Sequence, residues 1–167
     1  MTTEAVPTGK VSDGNLLVLF VPTIADPSGP TVAELTAGTV KKLTYSITGD
    51  GYKHDTAVTT VTAERLTLPQ ALQYDGTVTD DLELEYAYTN TVGDVARLAL
   101  APGTTGFIVE RWAVPNGTAI AAAQLVDVIP ISASIQRKKP PAKNTELARV
   151  QKLNVTGTVY RDVAVVA

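Results

Sequence analysis

The stretch DDLELEYAY, residues 80–88, decides the fold class. Leu82, Leu84, Tyr86 and Tyr88 fall on one side of an extended chain, and Asp81, Glu83 and Glu85 on the other. Successive side chains of a strand point to opposite faces, so this period of two predicts a half-buried strand. Two further stretches repeat the pattern. Ile129, Ile131, Ala133 and Ile135 oppose Ser132, Ser134 and Gln136, and Leu153, Val155 and Val159 oppose Asn154, Thr156, Thr158 and Tyr160. Segments 15–21, 43–48, 55–62, 105–114 and 161–166 read as additional strands, with Asp75-Gly76 and Asn116-Gly117 as tight turns. The expectation is a mainly β chain, sandwich or barrel-like.

One short helix is expected over about 90–101. Asn90 or Thr91 can cap it, Asp94 suits its first turn, Val95, Leu98 and Ala99 recur at helical spacing, and Pro102-Gly103 stops it. Residues 118–124 read as a loop. Two longer connections, 21–42 and 137–149, are rich in Pro, Gly, Thr or basic residues, and long loops in a small domain tend to carry function.

The chain has 167 residues, which suits one domain over 1–167. Charged residues make up 19%, below the roughly 25% of an ordinary globular protein. Ten Pro and twelve Gly fit many short strands joined by turns. With no Cys, disulfides, thiolate nucleophiles and thiolate metal sites are excluded together, which suits synthesis in a reducing cytoplasm. The N-terminal stretch 1–14 is polar and lacks a signal-peptide core, and the longest apolar run, 16–21, is far short of a membrane span. A net charge of −3 makes the chain a poor candidate for wrapping nucleic acid by phosphate neutralisation.

Catalytic chemistry has little to build on. His54 is the only histidine; with no nucleophile elbow and no second nitrogen ligand, it reads as a solvated residue in a surface turn around Asp50-Gly51. Asp80, Asp81, Glu83 and Glu85 have carboxylates at spacings a glycosidase pair could use, but one Trp and two Phe leave no sugar-stacking cleft, and the acids read as a solvated sheet face. Residues 103–106, GTTG, lack the lysine and length of a phosphate-binding loop. Arg137, Lys138 and Lys139 form the one basic cluster and read as a loop making salt bridges between subunits. No enzyme, cofactor or metal is expected.

In order, PTVAEL (30–35), TGDGY (48–52), AERL (63–66), LELEYAY (82–88), APGTTGFIVERW (101–112), LVDVIPISASIQRKKPP (125–141) and VQKLNVTGTVYRDVAVVA (150–167) resemble the major tail tube proteins of long-tailed, non-contractile bacteriophages, especially those of actinobacteria. The likeness runs from about residue 15 to the C-terminus and rests on the ordered series, not on one diagnostic motif. It implies a virion tail protein with a flanking helix that forms hexameric rings, stacked into a tube. Strands of six subunits would line a lumen for passing double-stranded DNA. Implied partners are copies of the chain itself, the tape measure protein, the tail tip and the tail terminator, with no membrane. Under this resemblance the candidates for the lumen are Asp81, Glu83, Glu85, Ser132, Ser134, Gln136, Asn154, Thr156 and Thr158. Those for subunit contacts are Glu34, Lys41, Lys42, Arg137, Lys138 and Lys139, in loops 21–42 and 137–149, together with the stretch 1–14. An acidic lumen, about −18 per ring of six, would repel DNA and keep it moving. VAVVA at 163–167 would be an exposed, sticky strand unless paired. The competing readings are a monomeric β-sandwich binding or decoration module of a virion, and a tail terminator ring.

Overall fold

The computed structural model describes residues 4–167. Its elements are β1 (Leu16–Val21), α1 (Val32–Leu35), β2 (Lys41–Lys42), β3 (Ile47–Ala63), β4 (Leu72–Ala87), α2 (Val95–Ala99), β5 (Thr105–Trp112), β6 (Leu125–Ala133), β7 (Arg137–Lys138), β8 (Ala148–Val155) and β9 (Tyr160–Ala164). The strands join in one antiparallel sheet of order β2-β1-β5-β6-β8-β4-β3, with β7 alongside β8 and β9 alongside β6. The path has two ends, so the sheet does not close into a barrel within the chain.

The sheet is nevertheless strongly curled. In a flat sheet β5 and β3 would stand about 19 Å apart, four strand spacings. Yet Tyr52 and His54 of β3 hydrogen-bond Glu110 of β5. The inside of the curl holds the main core: Val18 and Phe20 of β1, Leu82, Leu84 and Tyr86 of β4, Ile108 of β5, Ile129 and Ile131 of β6, and Leu153 of β8. The alternation in 80–88 thus puts Leu82, Leu84 and Tyr86 inward, as the period of two requires, while Tyr88 lies past the end of β4 and outside the core. Leu82 faces Leu153 across the β4–β8 ladder. A second core covers the outer face of β1, β5 and β6 with Leu35 of α1, Ile24, Val126, Val128 and Val165.

Several sequence expectations need correction. Segments 43–48 and 55–62 are not two strands: β3 runs unbroken from Ile47 to Ala63, with Asp50-Gly51 inside it at a bulge. A Cβ on Gly51 would lie 2.3 Å from the Glu85 carbonyl oxygen, so the glycine serves a close approach of strands, not a turn. Asp75-Gly76 is likewise inside β4, beside a second bulge at Thr59, whose Oγ1 accepts from the Thr77 amide at 2.8 Å. The chain reverses between Ala63 and Leu72 instead. By contrast, Asn116-Gly117 is a turn, closed by Thr118 N to Pro115 O at 2.9 Å.

The helix is shorter than expected and shows a different face. Asp94 caps it by accepting from Arg97 N at 3.1 Å, so it starts at Val95 instead of near 90. Ala96 and Leu100 are buried, whereas Val95 and Leu98 are exposed. A second helix, α1, lies in the expected loop 21–42, closed by a Thr31/Glu34 capping box. β6 ends at Ala133, leaving Ile135 exposed, and β8 ends at Val155, leaving Thr156 and Thr158 in a connector. The C-terminal segment is paired within the chain: Val163 and Ala164 with β6, and Val166 with Thr31.

Candidate assembly surfaces

The β3–β4 hairpin leaves the body as a two-stranded arm. β4 pairs with β8 only from Leu82 to Ala87; before that it has β3 alone. The free part, from Thr56 and Asp80 to the reversal, is about 25 Å long. Val58 faces Val78 and Val61 faces Tyr74, and all four are about half exposed, as is Leu68; Leu72 is less so, and Leu66 at the tip is 96% exposed. A lone ribbon buries too little surface to need these side chains for its own stability. The whole chain exposes 10599 Å², against about 7900 Å² for a compact monomer of its mass.

The outward face of β4, β8 and β6 gathers several of the lumen candidates. Glu83 and Lys152 are ladder partners, as are Ser132 and Asn154. Asp81 is bridged by Lys152 at 3.0 Å, Glu83 by Lys53 at 3.3 Å and Arg137 at 3.9 Å, and Glu85 by Lys139 at 2.7 Å. Glu85 is mostly buried under this contact, which raises the Lys139 ammonium above its ordinary value. With Asp55 opposite Asp81, four acids meet four bases here, so the face is balanced and not the acidic wall expected. Ser134 lies beyond β6, and Gln136 points its amide at the Arg97 and Leu100 carbonyls, both at 2.9 Å, closing the end of α2. Thr156 and Thr158 are exposed beside the face.

The contact candidates divide similarly. Glu34 is engaged inside the chain, accepting from Thr31 N at 2.8 Å and Ala25 N at 2.7 Å, and these amides hold its carboxyl below the ordinary range. Lys41 and Lys42 form the exposed edge strand β2. Arg137 and Lys138 form β7; Lys139 follows it. Residues 4–11 are exposed, while 1–3 of the N-terminal stretch lie outside the described residues.

Sequence reasoning missed the polar cluster that closes the open end of the main core. His54 is not in a solvated turn. It sits on β3 with its side chain 13% exposed, Nδ1 3.1 Å from Glu110 Oε1 and Nε2 3.3 Å from Asp80 Oδ1. Tyr52 Oη and Trp112 Nε1 donate to the same Glu110, the latter at 2.8 Å, while Thr56 and Arg161 donate to Asp80. The bond to Glu110 chiefly raises the His54 imidazole, against its partial burial. Burial works to raise Glu110, but the bonds from His54, Tyr52 and Trp112 outweigh it and hold the carboxyl below the ordinary range. Asp80 is likewise held low by Thr56, Arg161 and His54 in spite of burial. Desolvation pushes the Tyr52 phenol well up, with Glu110 adding to it. The cluster ties the arm's root to β5 and to Arg161 of β9. The polar side chains of the cluster are spent on one another; a cavity of about 500 Å³ beside it is lined by Asp80 and Arg161, which already pair with each other.

A sequence match covering residues 3–167 is to the family described as phage tail tube protein. None of the curated proteins matches. Among solved structures, a chain in the cryo-EM structure of the anti-feeding prophage baseplate, 6-fold symmetrised, superposes with a TM-score of 0.51. It shares 13% identity, over 94% of this chain and 95% of that one, a likeness of fold. No helix among the described residues is long and apolar enough to cross a membrane. The sequence match spans the arm, the balanced face and both cores: the chain belongs to the phage tail tube protein family, and is a structural component of a phage tail and not an enzyme.

Proposed function

We propose that the chain assembles into hexameric rings that stack as the tail tube of a long-tailed, non-contractile phage, and that the tube conducts the genome into the host. The projecting arm carries this reading. It displays apolar side chains that are left exposed among the described residues, and a second copy is the surface that removes them from water. The open sheet supports it too, because β3 and β2 present unpaired edges that neighbouring copies can continue. The 6-fold symmetry of the baseplate neighbour is consistent with six copies per ring.

The balanced face of β4, β8 and β6 suits the lumen for a different reason than acidity. Its Lys and Arg side chains are already held by carboxylates, so they do not offer free cations to passing phosphates. Tape measure, tail tip and terminator proteins are the expected partners, with the segment 137–149, which includes β7, among the contacts. Negative-stain microscopy of the concentrated protein tests the reading. Hollow filaments of constant width support it, single rings point to a terminator, and monomers at all concentrations point to a decoration module.

A further inference from the structure

Three cations, none of them in a salt bridge among the described residues, lie where β7 and β8 meet the segment leading into α2. Lys138 and Arg149 are direct partners in the β7–β8 ladder, an arrangement in which like charges destabilise a sheet. Both lie over the ring of Tyr88, Lys138 Nζ at 5.3 Å and Arg149 Cζ at 4.5 Å from its centre. Arg97 and Arg149 line a pocket of about 220 Å³ with Tyr88, Asn90, Thr91 and Asp94. None of the three cations has a carboxylate within 4 Å among the described residues, although all four of the other Lys and Arg residues of β3, β7, β8 and β9, and Lys139, do. Asp94, the one acid at the pocket, is committed to the Arg97 amide at 3.1 Å and to Thr89 Oγ1 at 3.3 Å. Arg97 and Arg149 against Asp94, with Lys138 over the same Tyr88 ring, leave the site net positive on a chain that is net negative. Arg149 Nε is buried and has no hydrogen-bond partner. Burying an unpaired donor costs free energy, and an oxyanion in the pocket would relieve both that cost and the repulsion between the cations.

We propose that Lys138, Arg149 and Arg97 form an oxyanion-binding site whose occupant is a carboxylate from a second copy of this chain. The second-copy part rests on the tube reading; the site itself does not. A carboxylate fits the planar fork of Arg149, and the chain offers exposed acids without a cation within 4 Å on its projecting arm, Glu64 and Asp75.

The ¹⁵N-labelled chain, kept dilute and unassembled, is titrated with sodium acetate and with inorganic phosphate against sodium chloride of equal ionic strength. Saturable amide shifts around Tyr88, Arg97 and Arg149 with acetate, lost or moved at least tenfold in half-saturation by Lys138→Gln with Arg149→Gln, support the site. No saturable shift, or the same shift in the variant, overturns it, and a response to phosphate alone overturns the carboxylate assignment. If Arg149→Gln impairs folding, Lys138→Gln with Arg97→Gln gives the same reading. For the occupant, Lys138→Glu with Arg149→Glu is expected to abolish sedimentable assemblies and Glu64→Lys with Asp75→Lys to restore them. Failure to restore overturns the arm's acids as occupants. A wild-type chain that never assembles overturns the tube reading and the second-copy occupant together, while the acetate titration still decides the site.

Discussion

His54 Nδ1 lies 3.1 Å from the Glu110 carboxylate although three strands separate β3 from β5 in the sheet. The contact exists only because the sheet curls, so the pair reports on closure of the fold. Its ionisation gives a signed pH dependence. The folded chain raises His54 above its ordinary 6.5, so that contribution is full below pH 6.5 and is lost as pH rises through the folded value. Asp80 and Glu110 are depressed below 3.8 and 4.5, so their contributions hold above those values and are lost as pH falls through the folded ones. Asp127, raised chiefly by burial, partly opposes them on the acid side. Thermal unfolding should therefore peak between about pH 5 and 6.5 and decline toward pH 8. His54→Gln is expected to flatten the alkaline decline and, because His54 helps hold Glu110 and Asp80 low, to soften the acid one as well; an unchanged slope above pH 6.5 would show that the contact carries no linkage.

Arg111 supports a loop from inside the second core. It is almost wholly buried and donates to the carbonyls of Pro115 and Thr118, each at 3.0 Å, and to Gln124 Oε1 at 3.0 Å. No carboxylate lies within 4 Å of it among the described residues, and desolvation lowers its pKa. Arg111→Met keeps the stem but strands these acceptors, and it should cost about 2–4 kcal/mol in denaturant unfolding. A loss under about 0.5 kcal/mol would mean that water replaces the guanidinium.

The difference between what was legible and what was not follows from range. Period-two alternation is local, so 80–88 announced its own strand and inward face. The Thr31/Glu34 capping box was equally local and present in the sequence, yet the loop-like composition around it masked it. Asp-Gly pairs misled because a bulge and a turn ask the same thing of glycine, room for backbone or a neighbouring chain. The His54 cluster draws on residues 52, 54, 80, 110, 112 and 161, and nothing in a single segment marks them as partners. Pairing of the β4 acids with Lys53, Arg137, Lys139 and Lys152 is equally nonlocal, which is why a net charge of −3 suggested a more acidic face than β4, β8 and β6 present.

Stability and assembly should separate at the arm. Val58→Thr, Tyr74→Thr and Val78→Thr replace exposed apolar side chains with one that also favours strands. Each is expected to change unfolding free energy by no more than about 0.5 kcal/mol, since the positions are outside both cores. Pelleting by ultracentrifugation should nonetheless fall to the level of a chain that does not assemble. Wild-type filament yield from the triple variant would remove the arm from the interface.

The lumen assignment is testable because the chain has no cysteine of its own. Asn154 is exposed on the balanced face, opposite Ser132, and a thiol placed there by Asn154→Cys is a single clean label site. In the unassembled chain it should react equally with a small maleimide and with one carried on a large polymer. In filaments a lumenal thiol is reached by the small reagent through the bore and denied to the polymer, whereas a thiol on the outer wall takes both. A thiol sealed between subunits takes neither. Leu66→Cys at the arm tip provides the contrast, since the interface reading predicts that assembly shields it from both reagents. Reaction of Asn154→Cys with the polymer at the monomer's rate would put the β4–β8–β6 face outside, and the balanced charge pattern would then need another explanation than DNA passage.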